Sequence, residues 1–181
     1  PTKEGHVMVA AKSGLYEFQD EKFIKCYNRN NSPFLSCVNN DNYILVSDLM
    51  YDKEGTLWVF NSSVDNSFWT LDKNQQWKSL DVCSQIKYND DLRCLFISST
   101  NNKMWFLSNY WQTSQLYAYD YINNTLQTYG PTYINEDGAQ ITPNYFYKIK
   151  EDREGNIWMC TSSGPLYLSA ANIRLGAQEV T

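Results

Sequence analysis

Few side chains in this sequence are arranged for chemistry. His6 is the single histidine. An imidazole acting as base or metal ligand needs oriented partners, and no second histidine exists to share a metal. His6 opens the first apolar stretch and is expected to be structural. The serines form no G-x-S-x-G elbow, and neither a GxxxxGK[ST] loop nor a clear GxGxxG occurs. Asp52-Lys53-Glu54-Gly55 and Asp152-Arg153-Glu154-Gly155 place carboxylates around a glycine. A calcium loop needs alternating oxygen ligands over a longer span, so these short stretches, each with a basic residue inside, read as side-chain-capped turns. Asp90-Asp91 reads as loop. The cysteines are Cys26, Cys37, Cys83, Cys94 and Cys160, with no CxxC pair, which excludes the usual zinc spacings. Cys94 and Cys160 lie in apolar patterns and are expected to be small buried hydrophobes. A bridge between Cys26 and Cys37 stays open. No catalytic residue, metal ligand or cofactor site is expected.

Aromatic side chains are the remaining candidates. Fourteen Tyr and six Trp are present. Tyr110, Trp111, Tyr133 and Tyr145 fall in or beside loops, where a ring can stack on a sugar or clamp a peptide. Trp69 and Tyr147 belong to the same weighing. Packing inside a core is the competing role of every such ring. The segments NYWQTSQ at 109–115 and GPTYINEDGAQITPN at 130–144 are the expected binding rim, because long loops on a rigid scaffold are where function sits.

The elements that must hold such a rim repeat. Four stretches align, at 5–18, 52–72, 101–120 and 152–170. Met8, Trp58, Trp105 and Trp158 fall at one aligned position, spaced 50, 47 and 53 residues apart. Each unit has a turn containing Gly55, Asn101 to Lys103, or Gly155, followed by a strand with apolar residues on both faces, as in Leu57-Trp58-Val59-Phe60. Two apolar faces imply a sheet covered on both sides. Further strands are expected before the turn (43–52, 92–99, 145–152) and after it (15–18, 68–71, 116–121, 166–169, then 23–28, 77–82, 126–130). One unit is thus a four-stranded antiparallel meander, and a period near 50 residues fits propeller blades. The expected fold is an all-β, partial β-propeller of about three and a half blades, over 5–40, 43–86, 92–131 and 145–172. The first blade lacks its first strand and the last lacks its fourth. Gly55, Trp58, Trp105, Gly155 and Trp158 are the structural repeat residues.

The motif D-x-x-G-x-[LI]-W, read as DKEGTLW at 52–58 and DREGNIW at 152–158, resembles the two-component-regulator propeller repeat of Bacteroidetes. The runs at 13–18, 27–32, 49–80 and 141–165 look like blades of PorZ-type propellers of the type IX secretion system. Asn101-Asn102-Lys103 and Pro165 depart from the repeat's pattern. The resemblance implies a non-enzymatic recognition module at the periplasm or outer cell surface. It would bind a protein or carbohydrate ligand and be completed by remaining blades of the same chain. A glycan-sensing propeller of a hybrid histidine kinase is the second expectation. A propeller hydrolase or lyase with its active site in other blades is the third.

Charge and hydropathy narrow the partners. The net charge of −5 and the scattered Lys and Arg offer no basic stripe for nucleic acid. No run of about 18 apolar residues suggests a membrane helix. The chain starts at Pro1 and shows no signal-peptide pattern, and it is expected to be a piece of a longer protein. The N-x-[ST] triplets at Asn30, Asn61 and Asn123 are expected to be chance.

Overall fold

The computed structural model describes residues 5–111 and 113–181. Its strands are β1 (His6–Ala11), β2 (Gly14–Gln19), β3 (Lys22–Tyr27), β4 (Val46–Tyr51), β5 (Leu57–Asn61), β6 (Phe68–Leu71), β7 (Trp77–Ser79), β8 (Leu92–Ile97), β9 (Met104–Tyr110), β10 (Thr113–Asp120), β11 (Thr125–Tyr129), β12 (Tyr133–Ile134), β13 (Gln140–Ile141), β14 (Phe146–Glu151), β15 (Ile157–Thr161) and β16 (Gly164–Leu168). They form four meanders: β1-β2-β3, β4-β5-β6-β7, β8-β9-β10-β11 and β14-β15-β16, with β12-β13 as a separate hairpin. These are the first to fourth sheets below. The first and fourth have three strands and the middle two have four. Trp58, Trp105 and Trp158 lie in β5, β9 and β15, the second strand of a blade in each case, and Met8 lies in β1.

The chain forms two compact units, residues up to Leu92 and residues from Arg93 onward. In the first unit, Met8, Ala10, Leu15 and Tyr27 of the first sheet pack with Leu57, Val59 and Leu71 of the second. In the second unit, Trp105, Leu107, Leu116, Ala118 and Tyr129 of the third sheet pack with Ile149, Ile157, Met159, Leu166 and Leu168 of the fourth. The strand period of two sorts these residues by parity. Trp105 stands beside Ala118 in the ladder, and Ile157 beside Leu168. Each unit therefore buries the tryptophan-position face of one sheet against the aliphatic face of the next. Fully burying a ring of about 150–250 Å² at about 25 cal/mol per Å² contributes about 4–6 kcal/mol at a site such as Trp105.

One five-residue loop closes several hairpins. At Asp52, Asp72, Asn135 and Asp152 the backbone N–H donates to the carbonyl four residues on, at 3.0, 3.1, 2.9 and 3.0 Å. The side-chain Oδ1 accepts from the backbone N–H two and four residues on. The fourth residue of each loop has positive φ: Gly55 at 85°, Gln75 at 60°, Gly138 at 78° and Gly155 at 85°. Glycine bears that conformation without steric cost, which accounts for the D-x-x-G spacing.

A helix, α1 (Ala170–Leu175), follows β16. The Ser169 side chain accepts from the Asn172 N–H, and Gly176 closes the helix at φ 69°, a Ser cap and a left-handed glycine stop. Beyond it Thr181 exchanges both backbone hydrogen bonds with Tyr167, at 2.9 and 3.0 Å. Among the described residues no helix is long and apolar enough to cross a membrane.

Candidate binding rim

Asn109, near the end of β9, organises one end of the second unit. Its side chain is buried. Its Nδ2 donates to Phe146 O at 3.1 Å and its Oδ1 accepts from Phe146 N at 3.0 Å. Ser114 Oγ lies 2.6 Å from the same Oδ1 and 3.1 Å from Asn144 O. Ser162 Oγ accepts from the N–H groups of Asn144 and Tyr145 at 2.9 and 3.2 Å. A buried amide satisfied on both sides fixes its partner's position, because breaking either bond leaves a dry polar group. The β9–β10 tip is thereby tied to the start of β14.

Two aromatic pairs stand on this frame. Tyr110 and Trp111 at the β9–β10 tip meet edge to face at 6.4 Å, and Tyr145 and Tyr147 lie 5.2 Å apart. Trp111 is 85% exposed and held at φ 50°, and Tyr110 and Tyr147 are also exposed. The Arg93 guanidinium lies over the Tyr145 ring at 5.9 Å, a weak cation–π contact from β8. Gln112, in the same expected rim segment, lies outside the described residues.

Tyr133 has a different place. Its ring is fully buried in the second unit's core, edge to face with Phe146 at 6.2 Å, and its hydroxyl donates to Tyr129 O at 3.2 Å. Burial pushes its phenol far above the ordinary range. The expectation of Tyr133 at a rim is corrected: segment 130–144 folds into the β12-β13 hairpin, and Val180 N donates to Ile134 O at 2.8 Å. A hairpin needs an apolar underside, and Tyr133 supplies it. Trp69 is likewise engaged, its indole N–H donating to Asn66 O at 2.7 Å.

The repeat tryptophans share a position but not an environment. Trp58 is 7% exposed, Trp105 0% and Trp158 48%. Asp52 Oδ2 accepts from the Trp58 indole at 2.9 Å, and Asp152 Oδ2 from Trp158 at 2.8 Å. Asp152 works against a desolvation penalty; hydrogen bonds from Asn156, Trp158 and the backbone hold its carboxyl down at about 2. Trp105 Nε1 has no such partner. In the third sheet the carboxylate comes from elsewhere. Glu151, at the end of β14, accepts from Ser99 N at 2.7 Å, Ser99 Oγ at 3.0 Å and Thr100 Oγ1 at 2.8 Å, and also from Ser98 Oγ. Partial desolvation opposes ionisation, and those bonds outweigh it, lowering the Glu151 carboxyl below its ordinary value.

His6 Nδ1 lies 2.6 Å from Glu17 Oε1. The Tyr27 hydroxyl lies 3.1 Å from Glu17 Oε2 and 3.2 Å from Gln75 Oε1, so its single proton serves one of them at a time. Burial, then the Glu17 charge, pushes the Tyr27 phenol far up. This network joins the first sheet to the turn at Asp72. All five cysteines are free thiols. Cys160 is exposed and Cys94 half-buried, so the expectation of two buried thiols is corrected. Cys160 points with Trp158 to the uncovered side of β15. Among the described residues no cluster of His, Cys, Asp and Glu suits a metal ion.

Sequence reasoning passed over Arg93 and Glu151, and took in Asn109 only as the first residue of the rim segment 109–115. Asn109 carried a signal, an amide at the end of an otherwise apolar strand. The other two depend on pairing across sheets, which no local pattern shows.

The sequence model of the two component regulator propeller family matches residues 140–163, which contain β13, β14, β15 and the turn at Asp152. PorZ, an essential bacterial surface component of the type-IX secretion system of Porphyromonas gingivalis, is similar in structure, with TM-score 0.75 and 21% identity over 93% of this chain and 24% of that one. The extracellular domain of the hybrid two-component-system candidate BT3049 from B. thetaiotaomicron gives TM-score 0.65 and 18% identity over 92% of this chain and 20% of that one. A gluconolactonase candidate gives TM-score 0.57 and 11% identity over 92% of this chain and 57% of that one. The chain thus spans about a quarter of PorZ and a fifth of BT3049. No curated protein matches the sequence. The chain is a partial β-propeller that carries a two-component-regulator propeller repeat at residues 140–163.

Proposed function

We propose that this chain is part of a non-enzymatic recognition module at the cell envelope, in the periplasm or on the outer surface, where its aromatic rim binds a protein or carbohydrate ligand. The observation that carries the reading is the rim: Trp111 and Tyr147 are solvent-exposed on a frame locked by the buried Asn109 amide. Stacking surfaces held rigid before a ligand arrives lose little entropy on binding. The secretion-associated role follows from similarity to PorZ. A sensor role is the second reading, favoured by the family match at 140–163 and the likeness to BT3049.

The test is binding of glycan and peptide panels to the intact protein, scored for turnover as well. Trp111→Ala and Tyr147→Ala are each expected to weaken binding about tenfold, on the order of one stacked aromatic contact. Unchanged binding by both variants would remove the rim from the account, and product formation would remove the non-enzymatic reading.

A further inference from the structure

Trp111 sits where neither turn geometry nor packing accounts for a tryptophan. Its φ is 50°, a conformation that suits Gly or Asn and strains a bulky side chain. Its ring is 85% exposed, so it adds little burial. Its indole N–H and the Tyr147 hydroxyl make no hydrogen bond among the described residues.

The shape and the polarity of the rim distinguish among its ligands. Tyr110 and Trp111 cross at 85°, and Tyr145 and Tyr147 at 54°. Neither pair is a flat platform; each presents two planes set at an angle. Both pairs adjoin one clamp. Tyr110 follows Asn109, and Tyr145 and Tyr147 flank Phe146, whose N–H and C=O are both held by the Asn109 amide. The polar side chains of this frame are turned inward. Asn109 and Ser114 are buried and bonded to Phe146, Asn144 and each other. Ser162 Oγ accepts from two backbone N–H groups. A sugar carries several hydroxyls per ring, and each one desolvated without a partner costs free energy. A proline makes a smaller demand: it has a carbonyl but no N–H, and its ring is a compact apolar wedge. Each aromatic pair carries one uncommitted donor for such a carbonyl, the Trp111 indole in the first and the Tyr147 hydroxyl in the second. Consecutive prolines hold polyproline II without internal hydrogen bonds, so little order is lost on docking against aromatic side chains.

We infer that the ligand of the rim is a proline-rich peptide segment in polyproline II conformation. Its rings seat in the angle between Tyr110 and Trp111 and in that between Tyr145 and Tyr147. This rests on the rim reading above and narrows it from a protein or carbohydrate ligand to one class.

Isothermal titration calorimetry on the intact protein tests it with two capped peptides of equal length. One has Pro at two of every three positions and Ser at the third; the other has Ala in place of Pro. The proline peptide is expected to bind at least about tenfold more tightly than the alanine peptide, and Trp111→Ala and Tyr147→Ala each to weaken it about tenfold. Circular dichroism confirms that both variants are folded. Equal affinity for the two peptides, or no binding of either, overturns the inference. A neutral oligosaccharide that binds and is weakened by both substitutions, where the proline peptide does not bind, overturns it and leaves the rim reading standing. Proline-peptide binding that neither substitution changes removes the rim itself, and this inference with it.

Discussion

The turns before β5 and β15 and the turn before β9 solve one problem in two ways. In the first pair, Asp52 or Asp152 caps its own loop with Oδ1 and holds its own tryptophan with Oδ2. In the third sheet the loop is a residue longer: Ser98 N donates to Lys103 O at 2.8 Å, and Asn101 Oδ1 accepts from Lys103 N at 2.9 Å. The carboxylate arrives from Glu151, about fifty residues away and next to Asp152 in sequence. The local solution makes a self-contained blade. The borrowed one ties the third sheet to the fourth, and it leaves the Trp105 indole N–H unpaired in the core.

The two kinds of sheet differ most at their tryptophans. Trp105→Ala is expected to cost about 3–5 kcal/mol, the range for a buried aromatic. Trp158→Ala is expected to cost about 1 kcal/mol, since half its surface already faces water. Urea denaturation of both variants checks the ratio, and equal losses would mean Trp158 is covered in solution.

The turn glycines Gly55 and Gly155 differ by less. A Cβ on Gly155 would lie 2.6 Å from Thr100 Oγ1 and 3.1 Å from Thr100 Cβ, whereas one on Gly55 meets only the mobile end of Lys73, with Cε at 3.0 Å. Both residues have positive φ. Gly55→Ala should cost about 1 kcal/mol from backbone strain alone, and Gly155→Ala about 2–3 kcal/mol once the turn must move off Thr100. Thermal unfolding distinguishes them.

Acid titration gives a smaller effect. Glu151 and Asp152 both have folded-state values below their ordinary ones. Their contribution is therefore complete above the unfolded values and is lost as pH falls through the folded ones. For Asp152 that window runs from the ordinary aspartate value of 3.8 down to about 2. Glu151→Gln should lower stability at neutral pH by about 1 kcal/mol and flatten the fall below the ordinary glutamate value. A variant with the wild-type acid slope would show that Glu151 contributes nothing there. The smallest expected effect is Trp111→Ala on stability, within about 0.5 kcal/mol, as for an exposed side chain with few contacts.

Much of this architecture was visible in the residues. Trp58, Trp105 and Trp158 do occupy second strands, because a turn with an Asx cap followed by two-sided apolar alternation admits few other structures. The short first and last sheets were visible too. Exposure was not: whether Trp158 is buried depends on what stands beside β15, and alternation reports only which way a side chain points. Tyr133 looked like a loop residue because 130–144 is rich in Gly, Pro, Asn and Asp, yet its turn at Asn135 is the same capped loop that closes the blades. Helix α1 had a readable Ser169 cap and Gly176 stop but only six residues between them, too few for a helical period to show. Of the rim, Tyr110, Trp111 and Tyr145 were named from their types and loop positions. Asn109 and Arg93 become meaningful only once β8, β9 and β14 are side by side.

The borrowed carboxylate is best tested by a double-mutant cycle on Ser98→Ala and Glu151→Ala, with unfolding free energies for both single variants and the double. The account predicts a coupling of about 1 kcal/mol between residues more than fifty positions apart in sequence. Strictly additive losses would mean that Glu151 does not close the turn of the third sheet.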